Sequence, residues 1–324
     1  MAGTIRLHAT GGPEVLQWEE VDVPPPGPGE VTLKQEAVGL NFIDIYVRTG
    51  LYPTPLPTGL GQEGAGIITA VGAGVSEFAV GDRVAYASSP LGAYAEVRTL
   101  AADLLLKLPD AIPFQVAAAG LMRGLTAQYL LRQTYQVQAG DPVLIHAAAG
   151  GVGMIAAQWA KALGALVIGT VGSRSKVDLA KRYGCDHVLV LGEGKLPEQV
   201  KALTDGEGVA VVYDAIGKDT FFDSLDSLRP LGMMVTYGNA SGPVPPISPL
   251  ELSKRGSLFL TRPTLFTYTR KREALLAMAA DLFAVIASGK VKIEVGQSYP
   301  LREAGRAQLD LAERRTTGGT VLLP

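Results

Sequence analysis

The run Ala147-Ala148-Ala149-Gly150-Gly151-Val152-Gly153 constrains this chain more than any other segment, because it follows a short β-branched apolar stretch and opens a helix-length one. Small side chains let a backbone turn tightly out of a buried strand. The helix that follows presents oriented N–H groups and a partial positive charge, which suit a pyrophosphate. An alanine stands where the pattern G-x-G-x-x-G has its first glycine, so the placement between strand and helix carries the reading more than the letters do. Close helix-to-sheet packing would call for the same glycines; the surrounding βαβ pattern favours a dinucleotide loop. Residues 143–160 contain no Asp, Glu, Lys or Arg over 18 positions, a length at which a membrane span is considered. Gly150, Gly151 and Gly153 divide that run into a strand and a helix.

Strands predicted at 143–146, 166–171, 187–190, 209–213, 233–237 and 258–260 alternate with helices at 151–163, 175–183, 197–203 and 219–228. This alternation means a parallel, doubly wound sheet. The first third is β-rich instead, with short runs at 31–37, 66–71, 83–87 and 93–97 between Gly/Pro punctuation, and the proline-rich 24–28 and 53–57 read as rigid loops. After 262 come a helix at 271–288, a strand at 291–295, a helix at 302–313 and a strand at 320–323. A nucleotide sheet usually stops at six strands, so these elements are assigned back to the first domain. The expected fold is α/β, with a Rossmann doubly wound parallel sheet at 114–262 inserted into a β-rich domain made of 1–113 and 263–324.

NAD-specific enzymes close the second strand with a carboxylate that bonds the adenosine ribose. Here the strand at 166–171 runs into Gly172-Ser173-Arg174-Ser175-Lys176, where hydroxyl and cationic donors suit a 2′-phosphate, so NADPH is the expected cofactor. A solvated basic turn at a helix start would look the same. A formal net charge of −2 with no basic stripe gives no field for nucleic acid or an anionic membrane, and neither is an expected partner. Cys185 is the single cysteine, which excludes an intrachain disulfide and, with no Cys/His cluster, points to the cytoplasm.

Several segments carry a family resemblance: Gly11-Gly12-Pro13-Glu14-Val15-Leu16, Gly39-Leu40-Asn41-Phe42-Ile43-Asp44, Gly61-Gln62-Glu63-Gly64-Ala65-Gly66, Val80-Gly81-Asp82-Arg83-Val84 and Tyr237-Gly238-Asn239-Ala240-Ser241-Gly242, with the loop above. The chain resembles the medium-chain dehydrogenase/reductase superfamily, and within it the zinc-free quinone oxidoreductases that include zeta-crystallin, the bacterial members most closely. The resemblance spans both domains and implies a GroES-like, partly open barrel for the first. Zinc alcohol dehydrogenases of this superfamily place a Cys and a His where this chain has Asn41 and Gln62, and Cys185 alone cannot build their structural zinc site, so no metal is expected. His8, His146 and His187 read as core or surface histidines.

The resemblance further implies an NADPH-dependent quinone reductase. It places Asn41, Asp44, Tyr46 and Tyr52 in the catalytic region. The tyrosines could donate to a quinone oxygen and wall a flat ring, although ordinary half-buried tyrosines fit the same pattern, and Asp44 fits a loop cap equally well. Around the cofactor it places Asn41, Tyr129, Gly151, Val152, Ser173, Lys176, Gly238, Asn239, Phe266 and Arg314, to which the residue reading adds Gly150, Gly153, Gly172 and Arg174. Some relatives have a tyrosine where this chain has Leu191, which shifts phosphate recognition toward Lys176 and Arg314. An exposed sheet edge needs covering, and in relatives the strand matching 257–261 pairs with its copy, so a homodimer is expected. The alternatives are a zinc-free NADPH-dependent enone or alkenal reductase and a non-catalytic, crystallin-like NADPH-binding protein.

Overall fold

The computed structural model describes residues 1–88 and 90–324. In chain order the strands are β1 Ala2–Leu7, β2 Leu16–Val21, β3 Glu30–Leu40, β4 Thr58–Gly59, β5 Glu63–Val71, β6 Arg83–Ala87, β7 Val97–Ala101, β8 Leu106–Lys107, β9 Pro142–Ile145, β10 Leu166–Val171, β11 His187–Val190, β12 Val209–Asp214, β13 Leu228–Thr236, β14 Phe259–Thr261, β15 Val295–Pro300 and β16 Gly319–Leu323. The helices are α1 Phe42–Arg48, α2 Phe114–Tyr129, α3 Gly151–Ala162, α4 Val177–Arg182, α5 Leu196–Ala202, α6 Phe221–Asp226, α7 Leu250–Lys254, α8 Leu265–Tyr268, α9 Arg272–Ala287 and α10 Ala304–Ala312. Two compact units share them, one made of residues 1–123 and 293–324 and the other of residues 124–292.

The first unit is β-rich. Its larger sheet runs β15-β16-β3-β5-β6-β8, with β7 also on β3, and a smaller sheet runs β2-β1-β4. The 11-residue β3 is the spine, because it pairs with β16, β5 and β7 in turn. Its register against β5 shifts at Gln35/Ala37, where Gly66 comes so near that a Cβ would lie 2.1 Å from the Lys34 carbonyl oxygen. Bulges of this kind curve a sheet, and here the curved sheet encloses Leu7, Leu33, Leu40, Leu60, Ile68, Tyr86, Tyr94 and Leu322, all buried. Residues 93–96, predicted as a strand, hold only an isolated bridge at Ala95, and the strand begins at Val97. The backbone there is occupied from several sides: Ala93 and Tyr94 donate to the Gly61 and Leu60 carbonyls, while Gln35 donates through its amide to the Ala93 and Ala95 carbonyls.

The second unit has a six-stranded sheet ordered β11-β10-β9-β12-β13-β14, with every pairing parallel. Its strands and their connecting helices follow the predicted alternation to within a few residues. The uncharged run 143–160 becomes β9 and α3, and among the described residues no helix is long and apolar enough to cross a membrane.

The units divide at 123/124 and 292/293, whereas the sequence alone points to 113/114 and 262/263. The long helix after 262 makes the difference. Counting strands rightly keeps it out of the sheet, but a helix needs only a face to cover, and α9 buries Leu275, Met278, Ala279 and Leu282 in the second unit. Gly124 makes room for Leu282, since a Cβ there would sit 2.5 Å from it, and Gln128 donates to Asp281 at 3.2 Å. The strand expected at 291–295 forms at Val295–Pro300, parallel to β16.

Each unit carries one tryptophan, Trp18 in the first and Trp159 in the second, so each can report separately. In a Trp18→Phe background, Leu282→Ala is expected to lower the denaturation free energy followed by Trp159 fluorescence by about 2–5 kcal/mol. The matching Trp159→Phe protein, read through Trp18, is expected to lose much less. Equal losses would reject the placement of α9.

Candidate functional site

In the second unit the loop between β9 and α3 turns on Ala147, whose φ of 51° lies in the left-handed region. Gly150 caps α3 in an extended conformation, no side chain caps it, and no acid stands in the first turn. The first-turn N–H groups of Gly151, Val152 and Gly153 therefore face outward with the helix dipole behind them. Gly153 is fixed by contact, because a Cβ there would lie 2.2 Å from the Ala147 carbonyl oxygen.

Strand β10 lies beside β9, which brings its carboxyl end next to this loop. A Cβ on Gly172 would meet nothing within 4 Å. Ser173 then starts a short 3-10 turn holding Arg174 and Lys176, and Arg174 donates to Glu193 through Nε at 2.8 Å and Nη2 at 2.7 Å. On the other side of β9, past β12, the chain after β13 is zipped to the end of β12: Tyr237 donates to the Asp214 carbonyl and Ser241 to that of Ile216, both at 2.8 Å. Gly238 fits this zipper because a Cβ would sit 2.3 Å from the Ala215 oxygen. Residues 150–153, 172–176 and 238–239 are thus gathered along the carboxyl edge, with the order reversing at β9, the crevice where such sheets bind ligands. Tyr129 is buried and stacked on Tyr268, with centroids 4.4 Å apart and planes at 10°; Phe266, half-buried, is on the same helix α8 as Tyr268. Burial pushes the Tyr129 phenol well up from its usual range. Tyr268 gave no sequence signal.

The first unit brings Asn41, Asp44, Tyr46 and Tyr52 onto and just after α1. Asn41 is the N-cap, and the Asp44 Oδ2 accepts the Asn41 N–H at 2.8 Å in a capping box. Tyr46 and Tyr52 stand edge to face with centroids 5.3 Å apart, both half-buried. Asp44 turns inward, only 1% exposed, and also accepts the Tyr94 hydroxyl proton at 2.9 Å.

Behind α1 lies a group that the sequence reading did not single out. Glu63, wholly buried on β5, accepts the Asn41 side-chain amide at 2.7 Å and the Met122 N–H at 2.6 Å. Arg123, also buried, donates to the Ala119 and Leu40 carbonyls and exerts its charge on both acids. Burial raises both carboxyls to about 7, opposed by hydrogen bonds and by Arg123. The line continues from Tyr94 through Gln308 to Arg48, whose Nε donates to Gln308 at 2.6 Å. Glu63 lies in the segment Gly61-Gln62-Glu63-Gly64-Ala65-Gly66, and a carboxylate in a strand of small apolar residues was the available signal.

Arg314 also belongs to the first unit, exposed in the left-handed turn after α10. His146 is buried between the Thr170 and Ser224 hydroxyls, at 2.9 and 3.0 Å, as a satisfied core histidine. Among the described residues no three of His, Cys, Asp and Glu stand close enough to hold a metal.

The profile of the family described as alcohol dehydrogenase GroES-like domain matches residues 27–110, and that of zinc-binding dehydrogenase matches 151–283. A quinone oxidoreductase of Pseudomonas aeruginosa is 53% identical over the whole of both chains. The crystal structure of the Escherichia coli quinone oxidoreductase complexed with NADPH superposes with a TM-score of 0.98, at 48% identity and full coverage of both chains. A 2-haloacrylate reductase of a Burkholderia species is 47% identical over 98% of both.

The buried acids predict a pH dependence. Unfolded, Asp44 and Glu63 release their protons near 3.8 and 4.5; folded, they keep them to about 7. Between these limits the folded state holds more protons, so their contribution to stability is full below about pH 4 and falls as pH rises to about 7, by at most ~1.4 kcal/mol per pH unit per carboxyl. In a Trp159→Phe background, denaturation read through Trp18 from pH 4 to 8 is expected to show a smaller decline with Asp44→Asn than without it. Parallel pH profiles would refute it.

Proposed function

This chain belongs to the quinone oxidoreductases of the medium-chain dehydrogenase/reductase superfamily, and we propose that it passes hydride or electrons from NADPH to a quinone. The observation that carries this reading is the uncapped N-terminus of α3 beside a second strand that ends in Gly172-Ser173-Arg174-Ser175-Lys176, with no carboxylate in that turn. The first-turn amides of 151–153 fit a pyrophosphate, the open space at Gly172 leaves room for the ribose, and Ser173, Arg174 and Lys176 supply donors for a 2′-phosphate. When bound, NADPH supplies the hydride, and the conjugated quinone ring delocalises the charge that reaches its oxygens.

The protein's own part is to hold, orient and keep out water. Asn41 is assigned to the cofactor through its amide, which Glu63 fixes in one rotamer. Tyr46 and Tyr52 provide an aromatic wall and hydroxyl donors for a quinone oxygen. Asp44 serves the reaction by holding α1 and Asn41 in place. Gly150, Tyr129, Gly238, Asn239, Phe266 and Arg314 complete the proposed cofactor neighbours. The reaction is assigned as zinc-independent, because Asn41 and Gln62 are amides, poor donors for zinc, and the Asn41 amide is bonded to Glu63.

A homodimer through β14 accounts for an edge strand that exposes Phe259 at 56% and Leu260 at 37%, and a cytoplasmic location suits a chain with one buried thiol.

Anaerobic oxidation of NADPH by 1,4-benzoquinone is expected to be fast, unchanged by a chelator and far faster than alcohol oxidation; turnover of an α,β-unsaturated acceptor alone would reassign the substrate. Lys176→Ala is expected to weaken NADPH binding by about ten- to a hundredfold, measured by nucleotide fluorescence, with little change for NADH. Phe259→Lys is expected to give a monomer in sedimentation.

A further inference from the structure

Arg174 is already engaged by an acid. Its Nε and Nη2 meet Glu193 Oε1 and Oε2 at 2.8 and 2.7 Å, two parallel bonds across a planar fork. A phosphate monoester uses that fork in the same way, so the carboxylate and a 2′-phosphate compete for one guanidinium.

Glu193 is held where it stands. It lies in the turn after β11 between Gly192 and Gly194, both in left-handed conformations with φ of 88° and 85°. Its N–H donates to the Val190 carbonyl at 3.1 Å, and its carbonyl accepts the Gln199 side-chain amide at 2.6 Å. Leu191 ties the turn to the end of β10 through a bond to the Val171 carbonyl at 2.9 Å. Glycine is favoured at 194 because a φ of 85° strains residues that carry a Cβ. The pair borders an open surface depression of about 410 Å³ together with Val177, Asp178, Val190 and Gln199, so the Arg174 fork faces solvent.

We propose that Glu193 is a specificity-determining residue: it occupies the Arg174 fork in the free protein and so sets how strongly the chain separates a 2′-phosphorylated nucleotide from its unphosphorylated counterpart. This rests on the assignment of the 172–176 turn to the adenosine ribose. Two effects act in the same direction. A 2′-phosphate must displace the carboxylate from Arg174, and the displaced carboxylate, anchored by its turn, stays nearby as a like charge. A free ribose 2′-hydroxyl suffers neither and can itself donate to a carboxylate. The side chains are 82% and 42% exposed, so the pair is weak enough for a phosphate to open it, and the penalty it imposes is moderate.

Dissociation constants for NADPH and NADH, and for adenosine 2′,5′-bisphosphate and adenosine 5′-monophosphate, measured by calorimetry in wild type, Glu193→Gln, Arg174→Ala and the double variant, test this without turnover. Glu193→Gln is expected to tighten the 2′-phosphorylated member of each pair by about three- to tenfold and to leave the other unchanged or weaker. With Arg174→Ala as background, the gain is expected to shrink to the part due to charge repulsion alone. An unchanged ratio, or parallel shifts of both members, would overturn the proposal while leaving the cofactor site standing. Loss of the cofactor reading itself is seen separately, as failure of the wild-type protein to bind either member.

Discussion

At residue 153 the helix α3 comes so close to the loop before it that a single methyl group would press on the Ala147 carbonyl. That approach requires glycine, and it is what lets the helix start directly at the end of a central strand. The ligand-facing properties of the second unit follow from it. The helix begins without a side-chain cap, so its amides point outward, and β10 and β12 on either side of β9 deliver their own carboxyl-end loops to the same edge. The contact that permits tight packing also leaves the first-turn amides without a side-chain cap.

The first unit solves a different problem. Two carboxylates and a guanidinium are buried together around α1, which is costly unless each is bonded. Glu63 has partners on both oxygens, Arg123 has two carbonyls, and Asp44 has two donors on Oδ2 while its Oδ1 has none among the described residues. Both acids are driven toward neutrality, yet the bonds they make determine the rotamer of Asn41 and the start of α1. The polar line from Met122 through Glu63, Asn41, Asp44, Tyr94 and Gln308 to Arg48 ties β5, α1 and α10 together, elements far apart in sequence. A buried carboxylate thus orients the Asn41 amide.

Charge at the nucleotide edge is balanced on a smaller scale. The basic turn after β10 invites a phosphate, and Glu193 from the next strand's loop answers it. Under the proposed assignment of this turn, recognition there is a difference between two competing anions.

Local chemistry in the sequence determined the alternation of strands and helices, the glycine-rich turn into α3, the basic turn and the amides at 41 and 62, because each depends on periodicity or on residue types a few positions apart. The short α1 was legible in principle from its Asn-x-x-Asp cap, yet its seven residues are too few for periodicity to speak. Tertiary structure alone decided that α9 covers the second unit, that the backbone at 93–96 is shared among three neighbours rather than paired as a strand, and that Glu63, Arg123, Tyr94 and Gln308 meet behind Asn41. These rest on contacts between residues up to hundreds of positions apart, and what decides them is which apolar face or buried charge finds a partner. That information belongs to the packed chain, since no local window of residues contains both sides of such a contact.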